Sequence, residues 1–164
     1  MNSFETHYSK YLSAPTLEGA IHDLEGVIGA TRRMPEPQLE TAPGKWSPKQ
    51  TIGHLIDSAT NNHGRFVRAQ ILAHLKNGIL EIDGYAQNDW VAIGGYAAQD
   101  WNDLLELCLG LNAQILHVIK HVNPESLNLP VIIGGGSPAP LEAVMIDYVG
   151  HLKHHLESLH PDHP

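Results

Sequence analysis

Residues 145–159 read M-I-D-Y-V-G-H-L-K-H-H-L-E-S-L. Leu141, Met145, Tyr148, Leu152, Leu156 and Leu159 recur at steps of three and four, the period of an amphipathic helix, and Pro161 stops the pattern. His151 and His155 stand four apart, so a helix places both imidazoles on one face, one turn above the other. At about 100° per residue the pair lies roughly 80° from the centre of the apolar stripe. That is the rim of a core, where two rings can grip one divalent cation. His154 points about 200° from Leu152 and is expected to face solvent. A catalytic divalent metal usually takes three protein ligands and keeps one position open, so a third ligand has to come from another segment.

The rest of the chain supplies partners for this helix. Thr16 to Arg33 carries Leu17, Ala20, Ile21, Leu24, Val27 and Ile28 at helical spacing behind a capping Thr16. After the proline-rich connector M-P-E-P-Q-L-E-T-A-P-G, the stretch K-W-S-P-K-Q opens a second helix, with Ser47 as N-cap and Pro48 at the first helical position. The spacing predicts that it runs to about Lys76. Ile52, Leu55, Ile56, Ala59, Phe66 and Val67 form its apolar stripe. A second, polar stripe carries His54, Ser58, Asn61, Arg65 and Arg68, and it is a solvated face unless another element covers it. Residues 78–95, with I-L-E-I-D-G-Y-A-Q-N-D-W-V-A-I-G-G-Y, have no sustained helical period and read as a long, aromatic and acidic connection of the kind that is commonly functional.

Asp100 to Val122 is a third helix with Leu104, Cys108, Leu111, Ile115, Ile119 and Val122 as its core stripe, ended by Asn123-Pro124. An irregular crossing follows, in which V-I-I can pair briefly as a strand, and S-P-A-P-L opens the fourth helix. Four helices with two long connections describe an all-α four-helix bundle, expected as a single domain over residues 1–164.

Composition narrows the function. A formal charge of −8 disfavours nucleic acid as a partner. No apolar run is long enough for a membrane span and the N-terminus lacks a signal-peptide core, so a cytoplasmic protein is expected. The single Cys108 excludes an internal disulfide and a cysteine zinc site. Twelve histidines prove little by number. His117 and His121 form another pair four apart, but they lie roughly 200° and 240° from Ile115 and read as surface residues. His63 falls on the apolar stripe of helix two and reads as a core histidine. His7, His22, His74, His160 and His163 have terminal or solvent-favouring contexts. His54 remains as a candidate, although spacing alone does not select it.

The combination W-S-P-K-Q-T-I-G-H-L-I-D-S, Y-A-Q-N-D-W, G-G-Y and H-L-K-H-H resembles the DinB-like superfamily, and within it the YfiT-type metal-dependent hydrolases. The resemblance spans helix two to helix four, and its three histidines stand in order at His54, His151 and His155. It implies a four-helix bundle with long crossovers, a homodimer, and a divalent metal, nickel or zinc, held by those histidines at an open end of the bundle. The activity implied is that of a hydrolase or a thiol-dependent S-transferase on a small-molecule substrate, in some relatives with a low-molecular-weight thiol such as bacillithiol or mycothiol. The sequence departs from the commonest pattern in reading G-H-L-K-H-H, without an aromatic residue between the ligands.

Several residues are expected around such a site. Asp57 and Asp147 are candidates to accept the second N–H of a ligand histidine, and either can equally be a plain helix-surface carboxylate. Asn61 and Arg65 are candidates to bind an anionic substrate. In the 78–95 connection, which in that family crosses the open end of the bundle, Asp89 is the candidate base and Tyr85 the candidate donor; alternatively Tyr85 and Trp90 only plug the bundle end. The competing readings are a non-catalytic metal-binding or stress-associated bundle protein, and a plain bundle without metal.

Overall fold

The longest element begins where the sequence places a cap. Ser47 accepts from the Gln50 amide at 3.3 Å, the Gln50 side chain accepts from the Ser47 amide at 2.9 Å, and Pro48 occupies the first turn. A computed structural model describes residues 7–39, 41–75 and 78–160. Residues 1–6, the expected helix end at Lys76, and His163 in the closing residues lie outside that description.

Among the described residues there are five α-helices: α1 (Leu17–Thr31), α2 (Pro48–His74), α3 (Gln87–Gly94), α4 (Trp101–Lys120) and α5 (Leu141–Glu157). Thr16 caps α1 through the Gly19 amide, and Asp100 caps α4 through the amides of Asn102 and Asp103. The four long helices are those the hydrophobic periods predict. α4 packs on α1 and α2, and α5 packs on the same two from another side. The core lies between them, built from Leu24 and Ile28 of α1, Ile52, Leu55 and Phe66 of α2, Leu104, Cys108, Ile115 and Ile119 of α4, and Met145, Leu152 and Leu156 of α5.

Two features depart from the sequence expectation. The 78–95 connection contains a strand, β1 (Leu80–Ile82), and the short helix α3, which closes with Gly95 in the left-handed conformation (φ 61°). α3 spans only about two turns, too few for a repeating apolar period to register. β1 pairs in parallel with β2 (Pro130–Ile133), Leu80 opposite Val131, and β2 pairs antiparallel with β3 (Ala139–Pro140). Gly134 and Gly135 turn the chain between β2 and β3 with φ of 59° and 70°, where a side chain would be strained. This three-stranded sheet fastens the two long connections to each other. The second departure is N-terminal: a 3-10 turn at Ser9–Tyr11 packs against α5.

Candidate metal centre

α2 supplies His54 from its second turn, and α5 supplies His151 and His155 from its C-terminal half. The three rings converge. Nε2 of His54 lies 3.1 Å from Nε2 of His151, and one ligand nitrogen from each of the three residues lies within 4.8 Å of the others. Two imidazole nitrogens bound at 2.0–2.1 Å in a tetrahedral site are about 3.3 Å apart, so the His54–His151 spacing is already that of co-ligands. Burial holds all three imidazoles in the neutral form that a metal requires. It pushes His54 down to about 4, His151 to about 3 and His155 to about 4, with repulsion among the rings adding to the shift of the last two.

The polar stripe of α2 is covered from His54 to Arg65, with Asn61 half-buried, and solvated only at Arg68. His54, Ser58 and Arg65 are buried, because α5 and the 78–95 connection cover them. They open onto a cavity of about 900 Å³ whose walls also carry Tyr85, Asp89, Asp147 and Tyr148. Trp46, just before the Ser47 cap, lays its ring 4.6 Å from that of His54. Tyr8 approaches His151 edge-on at 5.1 Å.

Most of the expected site residues reach this cavity, with four differences. Asn61 does not line it; its amide is spent on the Asp57 carbonyl at 2.9 Å. Asn62 takes the place, bonding the Ser58 carbonyl at 2.9 Å and accepting from Arg65 Nη1 at 3.2 Å. His154 does not face solvent, since Tyr8 and Tyr11 cover it with ring separations of 5.6 and 4.6 Å, and it lines the cavity. His63 is half-buried and not part of the core.

The two carboxylates expected behind the histidines have other partners. Asp57 accepts from the Tyr96 hydroxyl at 2.5 Å, and its other oxygen is buried without a hydrogen bond among the described residues. Burial raises its pKa. Asp147 accepts from the Tyr8 amide at 3.0 Å, and burial raises its pKa too. Nδ1 of His54 is buried and has no hydrogen-bond partner among the described residues. His117 and His121 are exposed and stacked on each other at 4.2 Å, as expected of a surface pair.

Tyr85 and Asp89 both line the cavity. Tyr85 is half-buried, hydrogen-bonded to Ser58 and 5.2 Å from the ring of Trp90; burial raises its pKa. Asp89 is exposed in the first turn of α3. Trp46, Tyr8, Asn62 and Tyr148 escaped the sequence reading as cavity residues. Asn62 could have been found from the four-residue ladder His54–Ser58–Asn62, whereas Tyr8 lies in a segment with no periodic signal.

The sequence model of the DinB superfamily matches residues 17–159, from the first residue of α1 to just past α5. No curated protein matches the chain. The fold is similar to the solved structure of YfiT from Bacillus subtilis, described as a probable metal-dependent hydrolase with an unusual four-helix bundle topology. The TM-score is 0.72 at 20% identity, over 87% of this chain and 83% of that one. The four long helices thus follow one known bundle topology, and with the family match covering all of them, the chain belongs to the DinB superfamily.

Proposed function

We propose that the protein is a metal-dependent enzyme acting on a small molecule, with His54, His151 and His155 holding one divalent ion, nickel or zinc, beside the cavity. The observation that carries this reading is the convergence of three neutral imidazoles, His54 buried and His151 and His155 half-buried, two with nitrogens 3.1 Å apart, at the wall of a large polar cavity. Three nitrogen ligands leave a position open, the arrangement of a catalytic rather than a structural site. When bound there, such an ion supplies Lewis acidity and lowers the pKa of water or of a thiol.

The chain's own groups would do the rest. Asp89, which lines the cavity, would accept a proton, and the Tyr85 hydroxyl, hydrogen-bonded to Ser58, would donate one. Trp46 and Tyr8 flank the histidines and limit access of bulk water. Hydrolysis is the first reading, because the structurally similar YfiT is described as a probable hydrolase. Thiol-dependent S-transfer uses the same open position. In this reading the protein is a cytoplasmic homodimer without nucleic-acid or membrane partners; no helix of the described residues is long and apolar enough to cross a membrane. The deciding measurement is the metal content of untagged wild-type protein beside that of His54→Ala, which should lose most of its metal. Equal content in both proteins would remove the site.

A further inference from the structure

Arg65 is 7% exposed, yet among the described residues no carboxylate lies within ion-pair distance of it. Its Nη1 donates to Asn62 at 3.2 Å, while its Nε is buried without a hydrogen-bond partner among the described residues. A buried guanidinium stays charged at neutral pH, and an uncompensated buried charge is among the costliest features a fold can retain. The guanidinium borders the cavity, with Ser58, Asn62 and Tyr85 as its neutral polar neighbours.

We propose that Arg65 is the seat for a carboxylate on the substrate, which supplies the missing counter-charge and docks on the planar guanidinium fork. Among the residues that line the cavity Arg65 is the one arginine or lysine, and Arg68, the other cation that acts on it, is exposed to solvent; this single buried charge matches a monoanion better than a phosphate dianion. The seat is also separate from the histidines. Arg65 reaches back one turn to Asn62, eight residues from His54, which is about 12 Å along the helix axis. A ligand held at both ends therefore carries its carboxylate several bonds away from the reacting atom, so the two groups act as a ruler that selects for length as well as charge. This assignment rests on the proposed use of the cavity as the reaction chamber, but the carboxylate seat itself does not require metal.

The test uses EDTA-treated protein, so that an outcome here is independent of whether the histidines bind an ion. Hexanoate, the neutral isostere hexanamide and inorganic phosphate are titrated by calorimetry against wild type, Arg65→Met and Arg65→Lys. Hexanoate should bind wild type at least about tenfold more tightly than hexanamide, and that preference should vanish in Arg65→Met. Arg65→Lys, which keeps the charge and loses the fork, should retain only part of it. Ligand-free Arg65→Met should also melt at a higher temperature than wild type, because an unpaired charge has been removed; a merely structural arginine would give the opposite shift. Equal binding of hexanoate and hexanamide to wild type, undiminished hexanoate binding by Arg65→Met, or phosphate binding more tightly than hexanoate would each overturn the proposal. If Arg65→Met does not fold, unchanged hexanoate affinity in Arg65→Lys overturns it.

Discussion

The imidazole of His54 is 1% exposed and faces two others, and burial opposes its protonation, as burial and ring repulsion do for His151 and His155. The folded values near 4, 3 and 4 for His54, His151 and His155 all lie below the ordinary 6.5. At these three rings the unfolded chain therefore binds more protons than the folded one below about pH 6.5, and their contribution to stability rises with pH through that window, while the raised carboxyls of Asp57 and Asp147 act in the opposite sense above 3.8. Metal-free protein should keep its full melting temperature above pH 6.5 and lose it progressively toward pH 4, with a shallower decline in His54→Ala; a flat profile would contradict the burial of these rings. The Asp57 carboxylate makes its one side-chain hydrogen bond with the Tyr96 hydroxyl. Tyr96→Phe should cost about 1–3 kcal/mol in urea unfolding, the penalty for a buried acceptor left unmade. Gly53 belongs to the same contact, because a Cβ there would meet the Tyr96 ring at 2.0 Å. At this scale the sequence was informative about His151 and His155, whose helical spacing suffices. It was silent on His54, because a polar helix face becomes a site only when something distant covers it.

Helices were legible because their caps and periods are local. Ser47-Pro48 and Asp100 begin α2 and α4 with side-chain bonds that span three residues or fewer. Of the sheet only the V-I-I strand was legible; its partner β1 was not, because the two lie some 50 residues apart, and a three-residue strand has no period of its own. The N-terminal turn was missed for a related reason: it is held by α5, through the Tyr8 amide on Asp147 and the rings of Tyr8 and Tyr11 on His154. Gly150 makes that docking possible, since a Cβ there would stand 2.3 Å from the Tyr8 carbonyl oxygen. Gly150→Ala favours α5 as a helix and yet should detach the turn. The expected outcome is a net loss of about 1–3 kcal/mol, typical of overpacking, with faster amide exchange at Tyr8 and unchanged exchange in the first half of α5. Protection of Tyr8 equal to wild type would show that the turn is held by other contacts.

For the whole molecule, the three histidines join helices that are far apart in sequence, His54 on α2 and His151 and His155 on α5. Their helices meet beside a cavity that residues 84–89 and Ile133 of the long connections also line, so the three rings converge only when α2 and α5 are packed together. That is why composition and spacing could indicate a bundle with a histidine pair but needed family resemblance to nominate the third ring. On the proposed function, metal binding would be a property of the folded chain, since the unfolded chain presents the same residues without their convergence. A ligand that binds only the folded state stabilises it by about 2.7 kcal/mol at a hundred times its dissociation constant. For a chain of this size each kcal/mol moves the melting temperature by roughly 2–4 °C. Nickel or zinc at that excess over EDTA-treated protein should therefore raise it by roughly 5–11 °C, and the shift should grow with the logarithm of the metal concentration. His54→Ala should lose most of the shift, and His117→Ala should keep it because its exposed pair with His121 stands apart from the cavity. A shift of full size in His54→Ala would place the bound ion elsewhere on the protein, and loss of the shift in His117→Ala would move it to the surface pair.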